Sequence, residues 1–235
     1  MPNCSEEAVQ STGGTLQVRT RHTPTFGIAR LVLAPAEPVL VERGAVVASS
    51  YGVGYDHKGN PALKAQGKGA KAAVCTANPE GGWVDVAPPL PGDLHVLELD
   101  GTAGWCIAKS SWLASACTVG MDPAAAPLRA LQGGDGGFLN YVQGRGPVVL
   151  TCYGTLDIVM LAPGELVTVA GGHVVGFVDT LQCRLRALTP DVPQSMRTGE
   201  GLVFDFAGPG LVLTQTRSPQ HLGSWLQGSA NSSRS

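Results

Sequence analysis

The sequence predicts an all-β body made of three pseudo-symmetric repeats, and three observations carry that expectation. LAPAEPVLVERGAVVA at residues 33–48 is matched without a gap by LAPGELVTVAGGHVVG at residues 161–176, 128 positions later; a fixed period says how a fold is built before any motif is consulted. A weaker copy lies between them, LDGTAGWCIAKSSWLA at residues 99–114, 66 positions after the first. Finally, 32 Gly and 17 Pro beside only 14% charged residues is the composition of a turn-rich β protein, because Gly and Pro supply the backbone angles that tight reversals need.

In chain order the strand signals are ARLVLAP, PVLVERGAVVASS, DLHVLEL, GWCIAKSSWLASACTV, PVVLTCYG, TLDIVML, ELVTVAG, HVVGFV, LQCRLRAL, GLVFDFAG and GLVLTQTR, each bounded by Gly, Pro, Asp or Asn. In the last two, Leu202, Phe204 and Phe206 alternate with Val203 and Asp205, so three large apolar groups share one face that must be buried. Gly208, Pro209 and Gly210 then reverse the chain, which predicts a hairpin over 202–217. Gly146-Pro147 and the segment from Asn78 to Gly82 repeat the device. LPGD at 90–93 and LAPGE at 161–165 are tight turns before strands. Asp122 and Ser218 each stand before Pro and permit one short helical turn.

Residues 1–14 and those from about Gln227 onward are polar and read as disordered. Between them a single domain spans 15–218, with repeats at about 15–93, 94–155 and 156–218, followed by a short helix and tail over 219–235. A unit of roughly 64 residues leaves open sheet edges, and three around one axis would cover each other's edges, as in a closed trimer.

A formal net charge of −2 offers no basic field for nucleic acid or anionic membrane. The cysteines at 4, 75, 106, 117, 152 and 183 form no Cys-x-x-Cys pair and have no clustered histidines to complete a zinc site. Cys106 and Cys117 flank an expected hairpin, but buried free thiols are the reading. Neither a secretory signal nor an apolar run able to span a bilayer is present, so the expected location is cytoplasmic.

With these stretches in hand, the chain resembles the altered-inheritance-of-mitochondria protein 24 family, whose fold is likened to the tryptophan RNA-binding attenuator protein. The resemblance spans about residues 15–218 and rests on LAPAEPVLVERGAVVASSYGV, APPLPGDLHVLELDG, GRGPVVLTCYG, TLDIVMLAPGELVTVAGGHVVGFV and TGEGLVFDFAGPGLVLTQTRSP. It implies a β-sandwich or double-stranded β-helix-like unit repeated three times. It brings no catalytic signature: the bacterial members have no assigned activity, and the mitochondrial ones are associated with inner-membrane organisation and respiratory-complex assembly. HKGNPALKAQGKGAK at 57–71 is richer in Gly and Lys than that family, and the first copy lacks the Gly-Pro-Gly turn.

The candidate site residues read as scaffold. His173, whose counterparts are Ala45 and Ser111, has no Cys, Asp or Glu at ligand spacing and reads as a turn residue; His22, His57, His95 and His221 are isolated. Asp56, Asp179, Glu200 and Asp205 are not brought together as an acid–base pair, and Asp205 faces solvent from its strand. Lys58, Lys64, Lys68 and Lys71 form the only basic cluster, without a phosphate-loop pattern and without recurrence in the other copies. Trp83 and Trp105 are further heavy aromatics and Trp112 reads as core, while Leu222, Trp225 and Leu226 would share one helical face that caps the body.

No catalytic residue, cofactor or metal site is therefore assigned. The expected function is a non-enzymatic binding or scaffold protein acting through protein–protein assembly, with itself or another protein. A ligand-binding protein or enzyme with a pocket at the pseudo-threefold axis is the alternative, and RNA binding a weaker one.

Overall fold

Alternating apolar residues set the strands, and the tight turns between them decide which sheet each strand joins. The computed structural model describes residues 7–9, 16–57, 72–122, 139–190 and 201–232. The first segment holds β1 (Glu7–Val9), β2 (Gln17–Arg21), β3 (Ile28–Leu33), β4 (Pro38–Glu42), β5 (Val46–Ser49), β6 (Gly54–Asp56), β7 (Ala72–Thr76) and β8 (Gly82–Val86). Here β8 pairs with β3 and β5, β7 pairs with β4 and β6, and β2 and β1 extend the sheet beyond β3. β1 thus lies within the stretch read as disordered, and it covers the outer edge of β2.

The middle segment holds β9 (Leu94–Asp100), β10 (Trp105–Ala108), β11 (Trp112–Ala116), β12 (Val119–Asp122) and the long β13 (Leu139–Thr151), which pairs with all four. The last holds β14 (Leu156–Leu161), β15 (Leu166–Ala170), β16 (Val174–Val178), β17 (Gln182–Ala187), β18 (Leu202–Ala207) and β19 (Gly210–Gln215), in which β19 pairs with β14 and β16, and β18 with β15 and β17. The register slips at a β-bulge between Val46 and Ala48, between Trp112 and Ala114, and between Val174 and Gly176.

The hairpins expected from the turns are not formed. β18 and β19 do not pair with each other, nor do β4 and β5, and Gly146-Pro147 lies inside the unbroken β13. Period-2 alternation identifies the face a strand buries but not the strand it pairs with. Phe204 and Phe206 on β18 and Val212 on β19 meet in one cluster from two facing sheets, so each turn is a corner between sheets. Such corners demand close backbone approach. A Cβ at Gly208 would lie 2.3 Å from the Ala162 carbonyl oxygen, and Gly144 bends β13 at φ 126° where a Cβ would lie 2.4 Å from that of Thr118.

Three apolar clusters fill the body. One is centred on Leu31, Val39, Val41 and Val84, one on Leu40, Ile107, Val148 and Leu150, and one on Phe177, Phe204 and Phe206. Trp112 is buried in the second, as expected. Two seams join the segments: β4 with β11 (Val41↔Ala114, Leu40↔Ser115, Val39↔Ala116) and β10 with β16 (Ile107↔Gly176, Cys106↔Phe177, Trp105↔Val178). The closure expected around an axis is not completed, for among the described strands β5 pairs only β8 and β15 only β18. At the ends, charged groups replace the apolar ones of the seams: Thr168 faces Asp205 across β15 and β18, where Leu40 faces Val74 across β4 and β7. No helix among the described residues is long and apolar enough to cross a membrane.

Candidate functional site

The histidine singled out in the sequence closes a short 3-10 turn, Gly171–His173. Its Nδ1 lies 2.7 Å from the Gln215 carbonyl oxygen, and the Gln215 amide donates to the Gly172 carbonyl at 3.0 Å. The His221 ring stands edge-on at 6.2 Å. With Tyr153, Arg217, Leu222 and Trp225 these rings line a cleft of about 380 Å³. The helix behind it, α1 (Pro219–Ser232), is longer than the single turn expected: once Ser218 caps it by accepting the His221 N–H, each further residue adds one hydrogen bond. The capping face is corrected as well. Leu222 is half-buried, while Trp225, on the rim of the cleft, is 67% exposed and Leu226 also faces solvent.

Among the described carboxylates, Asp179 and Asp205 each have structural partners of their own. Asp179 accepts from the Tyr141 hydroxyl at 2.8 Å and the Gly104 N–H at 3.1 Å, at the mouth of a cleft of about 470 Å³. The bond to Asp179 pushes the Tyr141 phenol up from its ordinary pKa. Asp205 accepts from the Arg186 guanidinium at 2.6 and 3.1 Å and from the Thr168 hydroxyl at 2.7 Å, which together hold it below the usual carboxylate range. His22 sits in a turn at φ 60°, and burial pushes the pKa of His95 down. Lys58, Lys64, Lys68, Lys71, Glu200 and Cys4 lie outside the described residues. Among the described residues no group of three His, Cys, Asp or Glu could hold a metal ion.

Sequence reading missed a charged cluster on the first sheet. Asp85, only 5% exposed, accepts from Arg21 at 2.8 Å and from both Nε and Nη2 of Arg30 at 2.8 Å. The Arg30 guanidinium lies 4.0 Å above the Trp83 ring. Burial alone would raise the Asp85 carboxyl, but the hydrogen bond from Arg30 and the charges of Arg21 and Arg30 outweigh it and hold the group below its ordinary pKa. The available signal was the set Arg21, Arg30 and Asp85 on strands whose neighbours are apolar.

The described thiols are free. Burial pushes Cys75, Cys117 and Cys152 up to about 11 and Cys106 up to about 12, which leaves them protonated and unreactive near neutrality. At pH 7.5 we expect these four to resist iodoacetamide in the native protein and to react on denaturation, as read by peptide mass mapping. Because folding raises their pKa values, the stability they contribute is complete below the unfolded thiol range of about 8.5 and declines as pH rises toward the folded values. Rapid native labelling of Cys106 would contradict the packing described.

Among the described strands several lie at sheet edges, and two of them, β5 and β15, stand in the places that the seam strands occupy in the other segments. β11 and β16 are buried over four of their five residues, whereas β5 is exposed over three of its four. The bulge residue is the sharpest contrast: Leu113 and Val175 are fully buried at the two seams, and Val47, at the same step of its bulge, is 58% exposed. On β15, Leu166 is 76% exposed and Thr168 also faces solvent. An open edge with an apolar residue at its bulge is suited to accept another strand.

A family model described as Mitochondrial biogenesis AIM24 matches residues 18–217. No curated protein matches the chain. Among solved structures, the crystal structure of a Streptococcus pyogenes protein determined by a structural genomics consortium is similar, with a TM-score of 0.75 and 20% identity over 90% of this chain and 98% of that one. At that identity the likeness concerns the fold.

Proposed function

The chain belongs to the mitochondrial biogenesis AIM24 family, and from that premise we propose that it is a non-enzymatic binding or scaffold protein that works by joining its open sheet edges to another protein. The single observation that carries this is the exposure of Val47 against the full burial of Leu113 and Val175. The described polar clusters each hold strands or turns in place. Asp85 ties β2, β3 and β8 together, Asp205 ties β15, β17 and β18, and His173 ties its turn to β19. None needs a substrate to account for its arrangement.

We further read the body as three versions of one unit. Support comes from the same four strand pairings and the same bulge in each segment, with β13 taking the place of two strands in the middle one. In this reading the units are joined edge to edge, and the ends of the series are the binding surfaces. The free thiols suit a reducing compartment such as the cytoplasm.

Light scattering on the purified chain tests the proposal. The expected result is a mass that rises above 24.2 kDa as concentration increases, or a stoichiometric complex when a cognate protein is supplied. A constant 24.2 kDa mass, with no complex captured on the immobilised chain and lost on mutating Val47, would contradict it.

A further inference from the structure

We propose that the cleft beside α1 binds a small molecule carrying a phosphate group next to a flat aromatic ring, the chemistry of a nucleoside monophosphate. The site is independent of edge joining and is built from residues that do not recur along the chain. His173 has Ala45 and Ser111 as its counterparts, and Arg217, His221 and Trp225 follow the last strand. The middle segment makes the same 3-10 turn over Lys109–Ser111, closed by a Ser111 that is 2% exposed, so the turn itself needs no imidazole. A carbonyl oxygen only accepts, so His173 Nδ1 donates to that of Gln215 at 2.7 Å. Nε2 is then the remaining polar atom of a ring that lines the cleft.

Charge selects an anion. In a chain of formal net charge −2, this cleft gathers Arg217, His173 and His221, and among the described residues no carboxylate lines it. Guanidinium and imidazolium N–H groups together suit the oxygens of one phosphate group. A hydrogen-bond network fixes their placement in advance, which lowers the ordering cost of binding. The side chain of Gln215, 6% exposed, accepts from the Tyr153 N–H at 2.8 Å and donates to the Gly172 carbonyl at 3.0 Å. The Arg217 N–H donates to the Tyr153 carbonyl at 3.2 Å. Gly154, at φ 84°, leaves room for the Arg217 stem, since a Cβ there would lie 3.2 Å from Arg217 Cγ. Trp225 supplies the second half of the recognition. It stands four residues after His221 and so shares its face of α1, on the rim of the cleft and 67% exposed. A large ring left in water beside a cationic cleft is a platform on which another ring stacks. The volume of about 380 Å³ falls within the range of small-ligand sites, roughly 300–1,000 Å³.

Isothermal titration of the full-length chain with the common ribonucleoside monophosphates, their nucleosides and inorganic phosphate tests the site, with EDTA in every buffer to keep metal ions off the histidine pair. The expected result is saturable binding of at least one monophosphate, at least about tenfold tighter than inorganic phosphate or the matching nucleoside. Arg217→Gln, at an exposed position, should weaken that binding at least about tenfold through loss of a charge-assisted hydrogen bond. His173→Asn places an amide donor where Nδ1 stood and removes Nε2, so it should weaken binding by a similar factor with the thermal midpoint unchanged. Trp225→Ala should bring the monophosphate close to the affinity of inorganic phosphate while leaving inorganic phosphate itself unaffected. No monophosphate bound more tightly than inorganic phosphate would overturn the proposal. So would tight binding that survives both Arg217→Gln and Trp225→Ala, because the ligand would then sit elsewhere on the chain.

Discussion

Phe206→Ala is expected to cost about 4 kcal/mol of unfolding free energy, within the roughly 3–5 kcal/mol range for removing a fully buried aromatic ring. The ring has no solvent exposure. It stacks on Phe204 at 5.6 Å with an interplanar angle of 9°, and meets Phe177 at 5.0 Å. Phe204 and Phe206 come from β18 and Phe177 from β16, so this trio is where the two sheets of the last segment hold together. Truncation removes the ring's transfer energy and leaves a void that the extended backbones on either side can only partly close. Chemical denaturation with urea checks it; a loss under about 1 kcal/mol would mean that the ring is not a core contact.

Asp85→Ala is expected to cost roughly 2–3 kcal/mol, less than the 3–5 kcal/mol seen when a fully buried pair is broken, because Arg21 and Arg30 are each about 30% exposed and can regain water. Removing the carboxylate leaves two guanidiniums facing each other on one sheet with nothing between them. The pH dependence follows from the sign. The Asp85 carboxyl is held below its unfolded value, so its contribution is present above the unfolded pKa of about 3.9 and is lost as pH falls through the lower folded value. Asp85→Asn should therefore reduce the fall in stability on acidification, relative to the natural chain. Equal acid limbs in the two proteins would show that Asp85 carries no ionic stabilisation.

The all-β class was legible because composition and alternation report directly on strands and turns. The burial of Phe204, Phe206 and Trp112 followed from the same alternation and from the repeat. Strand partners were not legible. A Gly-Pro-Gly turn reads as a hairpin in sequence, yet here it turns the chain from the sheet of β15, β17 and β18 into that of β14, β16 and β19. Only the contacts made by both faces distinguish the two outcomes. The Asp85 cluster was hidden for a related reason: Arg21 and Arg30 are 64 and 55 residues from Asp85, and nothing local marks the three as neighbours. The open edges were least visible of all, since Val47 and Val175 stand in matching segments of the repeat and differ only in what lies beside them.

The most direct test of edge joining is the mass of the natural chain and of Val47→Asp, measured side by side across a range of concentrations. Val47 is exposed when the chain is alone, so the substitution should leave thermal stability nearly unchanged. At a joined seam it would bury an unpaired carboxylate, a penalty of at least about 3 kcal/mol, or roughly a hundredfold in affinity. The expected result is assembly of the natural chain at concentrations where Val47→Asp stays at a single-chain mass near 24.2 kDa. Indistinguishable masses for the two proteins at every concentration, with both folded, would contradict the role given to this edge.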